Sequence, residues 1–265
     1  MCCRTRQCRY RKGVEHGPNR CAAAPRALHA AGFPQTPSWS ARMTFSIAGR
    51  CARTGAVGGI VTSSSIAVPS RCLWASRDGV VLSQNVTDPR LGQIGLAELA
   101  AGYGAQAVLD RIAQARAHAQ WRQLAVLDAA GFSAWRTGER GLGVHAGASG
   151  TDCVAVGNLL ANEGVPAAMV EAFAGHATRT LPERLLRALE AGLAAGGEAG
   201  PVHSAGLCVF DGASWPVAEL RVDWSDTPIA DLRALWARYE PQMNDYVLRA
   251  TDPTRAPSYG VPGDQ

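Results

Sequence analysis

The chain has 265 residues, 47% of them apolar and 18% charged, with a formal net charge of +4. That length suits one large domain with a full core more simply than two small ones. No apolar run reaches the roughly 18–20 residues of a membrane-spanning helix, so no membrane association is expected.

Residues 1–42 come first and differ from the rest. Seven arginines and Lys12 against Glu15 put +7 on residues 1–43 and leave −3 on the remainder. The remainder therefore offers no basic stripe, and no nucleic-acid partner is expected. Four of the eight cysteines (Cys2, Cys3, Cys8, Cys21) also lie here, without the CxxC pairing of a zinc site. The segment has no continuous apolar stretch of a secretory signal and too little apolar content for a core. It reads as disordered or as an over-extended gene start, with translation from Met43, or else as a processed propeptide. The expected organisation is this extension (1–43), a globular domain (44–240) and a turn-rich tail (241–265).

"TFSIAG" (44–49) and "GGIVTSSS" (58–65) read as a hairpin with a turn at Thr54-Gly55. "RCLWASRDGVVLSQN" reads as a second strand pair hinged at Asp78-Gly79. A short helix is expected over 93–101. Another follows, with Val108, Leu109, Ile112 and Ala115 on one stripe. Residues 121–139 read as strand, turn at Asp128–Gly131, and strand. "GLGVHAGASG" (141–150) reads as a mobile loop, and "DCVAVGN" (152–158) as a strand.

Two helices come next, one with Pro166 in its opening turn and Met169, Val170 and Phe173 on its stripe. The second has a Thr180-x-x-Glu183 capping box and the apolar face Leu181, Leu185, Leu186, Leu189 and Leu193. Strands over 203–210 and 216–224 precede a final helix from near Pro228. This order lacks regular βαβ alternation and fits stacked antiparallel sheets with helices outside.

Sites of chemistry are few. The glycines of 141–150 match neither GxGxxG nor a P-loop, and Lys12 is the only lysine. There is no GxSxG elbow. The histidines show no metal spacing, so neither metal nor cofactor is expected. His203 opens a strand beside Ser204 and is the most suggestive of them. Cys51, Cys72, Cys153 and Cys208 are scattered in apolar surroundings, as in reduced, buried thiols of a cytoplasmic protein. Thr44 differs from a mid-chain threonine if Met43 is the initiator. The small residue after it permits methionine removal, and the exposed α-amine, with a pKa of about 7.7–8.0, can accept the hydroxyl proton of the same residue.

"MTFSI", "TGAVGGIVTSSS", "SQNVTDPRLGQIGL", "RQLAVLDAAG", the "GN" of "VAVGNLLAN", "LPERLLRALEAGLAAGG", "HSAGLCV" and "ELRVDWSDTPIADLRAL" run collinearly through the body. In these stretches, from Thr44 to about Leu235, the chain resembles the bacterial domain of unknown function 1028 family, placed in the N-terminal nucleophile (Ntn) hydrolase superfamily. The resemblance implies an α+β fold, a four-layer αββα sandwich of two antiparallel sheets. It implies hydrolysis of an amide bond through an acyl-enzyme on Thr44, with Asn158 as the candidate oxyanion donor. Arg50, Ser64, Gln84, Asn85, Asp88 and His203 are expected to line the pocket. The chain has Cys51 where relatives often carry Asp, and His203 where they carry Gln. The lysine of proteasome-like relatives has no counterpart, and Arg50 is the nearest cation in sequence.

The expectation is a cytoplasmic amidohydrolase acting on a small or peptide-like amide, compatible with a homo-oligomer in which the tail wraps a neighbouring copy. The alternatives are a catalytically silent small-molecule-binding protein of the same fold, or a structural or assembly protein using the turn-rich tail and a Trp236/Tyr239 face as an interface. Fimbrial-assembly labels exist among relatives.

Overall fold

Two antiparallel hairpins, with turns at Gly55 and before Gly79, open the described chain, and the rest of the architecture is laid on them. The computed structural model describes residues 44–263. Met43 and residues 1–42, with the expectations placed on them, lie outside the described residues.

β1 (Thr44–Arg50) pairs with β2 (Val57–Ser63) around the expected Gly55 turn, where φ is +78°. A short α1 (Pro69–Cys72) leads to β3 (Leu73–Ser76) and β4 (Gly79–Asn85). α2 (Pro89–Ala100) and α3 (Ala105–Gln114) follow, then β5 (Arg122–Asp128) and β6 (Ser133–Thr137). β7 (Ala146–Gly150) and β8 (Cys153–Asn158) precede α4 (Val165–Gly175) and α5 (Leu181–Ala194). β9 (Ser204–Phe210), β10 (Ala218–Val222) and α6 (Pro228–Thr251) complete the described chain. One sheet has the order β10-β9-β2-β1-β8-β7 and the other β3-β4-β5-β6, with every pairing antiparallel. The fold is thus α+β, with two antiparallel sheets and helices.

Strand periodicity sorts the core into clusters. Phe45 and Ile47 of β1 join Met169, Phe173, Leu185, Leu189 and Trp236 in a cluster with α4, α5 and α6. Val81, Leu124 and Val126 of the second sheet join Val108, Leu109 and Ile112 of α3. The residues between them in sequence point the other way. Ala48, Val154 and Val156 of the first sheet meet Val80, Leu82, Ala125 and Leu127 of the second in one buried cluster. Gly49 lies so close under Phe173 that a Cβ there would sit 2.5 Å from the ring.

Several expectations are corrected. Residues 146–150 are strand, not mobile loop: β7 hydrogen-bonds along β8, and its small residues fit the close approach of Trp135 to Gly147. α2 begins at Pro89 instead of 93, because Asp88 caps the Arg90 N–H and Pro89 takes the first helical position. The capping box at Thr180 does not form, since Glu183 is drawn to Arg187 at 2.6 Å and to Arg233.

α6 continues past 240 to Thr251 despite Pro241 in its interior, which removes one helical hydrogen bond. Tyr239, Met243 and Val247, at intervals of four, pack on the core and hold that extension. The turn-rich stretch therefore starts at 252. Trp236 is 1% exposed, and the Tyr239 hydroxyl donates to the Val217 carbonyl at 2.8 Å, so these two residues are core rather than an open interface. Among the described residues no helix is long and apolar enough to cross a membrane.

Phe173→Ala empties the space between β1, α4 and α5, and chemical denaturation should show a loss of about 3–5 kcal/mol of stability.

Candidate functional site

Inward-facing positions on β1 read Thr44, Ser46, Ala48, and on β8 Val154, Val156, Asn158. On β4 they read Val80, Leu82, Gln84, and on β5 Gln123, Ala125, Leu127. At one end of each strand the inward residue changes from aliphatic to polar. The ladder registers align those ends. In the first sheet Asn158, Thr44, Ser63 and Ser204 face one another in a row across β8, β1, β2 and β9. In the second, Gln84, Gln123 and Thr137 form a row across β4, β5 and β6. Thr44 is 6% exposed and the other six show at most partial exposure.

Buried amides must be paired, and here they pair across the sheets. The Gln123 Oε1 accepts from Gln84 Nε2 at 2.7 Å and from Asn158 Nδ2 at 3.2 Å. Its Nε2 donates to Thr137 Oγ1 and to the Gly157 carbonyl, both at 2.9 Å. Gln84 Oε1 in turn accepts from the Ser46 hydroxyl at 2.6 Å. The amide nitrogens of Gln84 and Asn158 both reach the Thr44 carbonyl, at 3.4 and 3.5 Å. The Thr44 hydroxyl donates to Ser63 Oγ at 3.3 Å, and that oxygen also accepts from the Ser65 N–H at 3.0 Å. One acceptor is left over: among the described residues, the buried Asn158 Oδ1 has no partner.

Thr44, Asn158 and Gln84 are thus brought together, and Ser64 lies one residue from Ser63. The Ser64 N–H donates to both oxygens of Glu198 at 3.1 and 3.3 Å, and the Ser64 hydroxyl also bonds that carboxylate. Burial pushes the Glu198 carboxyl up to about 8.

The other expected residues are placed elsewhere. Arg50 is at the far end of β1, about 20 Å from Thr44 at strand rise, where it bonds the Ala129 carbonyl at 2.7 Å and Asp152 at 3.0 Å. Asn85 has φ of +72° and an outward side chain that latches the Trp121 carbonyl and the Leu142 N–H. Asp88 caps α2, and its hydrogen bonds from Arg90 hold its carboxyl down at about 2. His203 stacks on Trp224 at 4.5 Å, and its ring meets the Ser225 carbonyl at 3.1 Å. Burial raises the Cys153 and Cys208 thiols to about 11 and 12, so neither is a ready thiolate. Among the described residues no group of three His, Cys, Asp or Glu side chains is arranged to hold a metal.

Gln123, Ser46, Ser63 and Glu198 were not anticipated as part of the site. Gln123 had a signal: it stands in phase with inward-facing Ala125 and Leu127 in "RQLAVLD". Glu198, within "AGGEAG", had none.

The model of a family of unknown function, DUF1028, matches residues 44–232, so the match begins at Thr44. The chain belongs to the DUF1028 family. A crystal structure of protein SPO2555 from Silicibacter pomeroyi, also carrying the DUF1028 family label, is similar to it at a TM-score of 0.69 and 29% identity. The similarity covers 74% of this chain and 89% of that one. No curated protein matches the chain. An amide bridge joins the two sheets of this DUF1028 domain. Gln123→Ala removes the acceptor shared by the Gln84 and Asn158 nitrogens and the donor to the Gly157 carbonyl, and urea unfolding should show a loss of at least about 2 kcal/mol.

Proposed function

We propose that this DUF1028 chain is an Ntn hydrolase with the four-layer αββα sandwich of that superfamily, cleaving an amide bond in a small or peptide-like substrate. The observation that carries the reading is the position of Thr44. It stands where the family match begins, at the head of β1, with its carbonyl between two buried amides and its hydroxyl on Ser63.

In a chain beginning at Thr44, the α-amine takes the Oγ1 proton as Oγ1 attacks the substrate carbonyl. The amine then passes that proton to the leaving nitrogen as the C–N bond breaks, leaving an ester on Oγ1. Water then adds to the ester carbonyl, giving its proton to the α-amine; the acyl C–Oγ1 bond breaks, the carboxylic acid leaves, and Oγ1 takes that proton back. Asn158 acts here as a positioning residue. Its nitrogen is occupied by the Thr44 carbonyl and Gln123, while its unpaired Oδ1, across the ladder from Thr44, is an acceptor for the α-amine. This replaces the oxyanion role expected from the resemblance. Gln84 fixes the Thr44 carbonyl from the other sheet.

Protein purified with Thr44 as its first residue should form a covalent adduct of one acyl group with an amide-mimicking β-lactone, detected by intact mass. Thr44→Ser should keep the adduct and Thr44→Ala should lose it. The amine must be neutral to accept the proton. Adduct formation should therefore fall about tenfold per pH unit below its pKa of about 7.7–8.0. Labelling of Thr44→Ala at the wild-type rate, or a rate flat from pH 6 to 8, contradicts the proposal.

A further inference from the structure

A cleft of about 320 Å³ opens between the end of α5, the glycine-rich turn after it and the first turn of α6. Leu193, Val202, Pro228 and Ile229 give it apolar walls. One wall residue is charged and buried: Glu198, only 5% exposed. Among the described residues its oxygens are met by Ser64, and no Arg or His pairs with it. A carboxylate removed from water without a counter-charge costs several kcal/mol, so it either holds a proton or awaits a cation.

The surroundings favour the cation. Among the described residues no basic side chain lines the cleft. Asp226 stands at its mouth, 94% exposed and 3.5 Å from the His203 ring. Asp231, in the first turn of α6, accepts from the Ser225 hydroxyl and offsets the positive end of that helix. From the segment following β8, Leu160 bridges to Glu198 and Asn162 is tied to the Ala195 carbonyl, so neither brings a charge.

We propose that this cleft binds a small ligand carrying a primary ammonium on an apolar body, with Glu198 as its counter-ion. The walls take the hydrocarbon, and the ammonium donates to the carboxylate oxygens that Ser64 orients. Binding replaces the proton on Glu198. Its carboxyl titrates at about 8 in the free protein, so below that pH a proton must leave as the ammonium arrives. The proposal is independent of whether Thr44 is a nucleophile, because its test reads binding and not turnover.

Calorimetric titration of the protein with n-hexylammonium, with 1-hexanol and hexanoate as neutral and anionic probes, decides it. An alkylammonium stays charged throughout, having a pKa near that of lysine, about 10.4. Hexylammonium should bind at least tenfold tighter than hexanol at pH 8. Its affinity should rise about tenfold per unit up to pH 8 and then level, with about one proton released per ligand at pH 6. Glu198→Gln should abolish the preference and the pH dependence while leaving hexanol binding unchanged. The proposal is overturned if hexylammonium does not bind at pH 8 or binds no tighter than hexanol, if hexanoate binds best, or if Glu198→Gln keeps the preference. Should that variant fail to fold, the wild-type pH slope and proton release decide alone, a flat affinity overturning it.

Discussion

The side-chain amide of Gln123 is the joint on which the described site depends. Its oxygen receives one nitrogen from β4 and one from β8, while its own nitrogen reaches Thr137 on β6 and the backbone of β8. The two sheets are therefore locked at this end by directional bonds, while their middle stretches meet through aliphatic contact. Directional bonds between buried amides admit little adjustment, since any slip leaves one of them unmatched. The remaining hydrogens of Gln84 and Asn158 then converge on the Thr44 carbonyl, and the first residue of β1 inherits a fixed position.

This arrangement is not the most stable use of the space. Aliphatic side chains would continue the cluster of Val80, Leu82, Val154 and Val156 without any polar group to match. An unpaired buried acceptor such as Asn158 Oδ1 costs on the order of 1–3 kcal/mol, and the Glu198 carboxyl, forced up to about 8, is a second imbalance. Both are neighbours of the same strand ends: Asn158 faces Thr44 in the ladder, and Glu198 is bound by the residue after Ser63. Polar groups left incomplete at one location point to partners supplied by something other than this stretch of chain. The proposed α-amine at the head of β1 would answer the first, and the proposed cationic ligand the second.

Much of the scaffold was legible because it follows from periodicity. The β1–β2 hairpin, the strands around Asp128, and the stripe of Leu181, Leu185, Leu186 and Leu189 are one-dimensional signals, and they appear in the structure where the pattern put them. The errors arose where a tertiary partner overrode local preference. β7 looks like loop because it is rich in glycine and alanine, yet β8 supplies its bonds. Pro241 looks like a helix end, yet Met243 and Val247 hold the helix to the core. Glu183 looks like a capping residue, yet Arg233, 50 residues away, takes its carboxylate. The site was legible only in part. Thr44, Gln84 and Asn158 could be singled out from the resemblance, and they converge. Arg50 is near Thr44 in sequence but a whole strand away, and Glu198 reaches Ser64 only through the return of the chain after α5.

Membership of DUF1028 and the likeness to its solved Silicibacter pomeroyi relative set the frame, while the chemistry rests on a residue whose role depends on what precedes it. A threonine inside a peptide has no amine to take its proton; the same threonine at a free terminus carries its own base. N-terminal sequencing of the protein isolated from its native host tests this most directly. The account predicts Thr44 as the first residue, with a free amine. A blocked terminus, or one that retains residues ahead of Thr44, contradicts it.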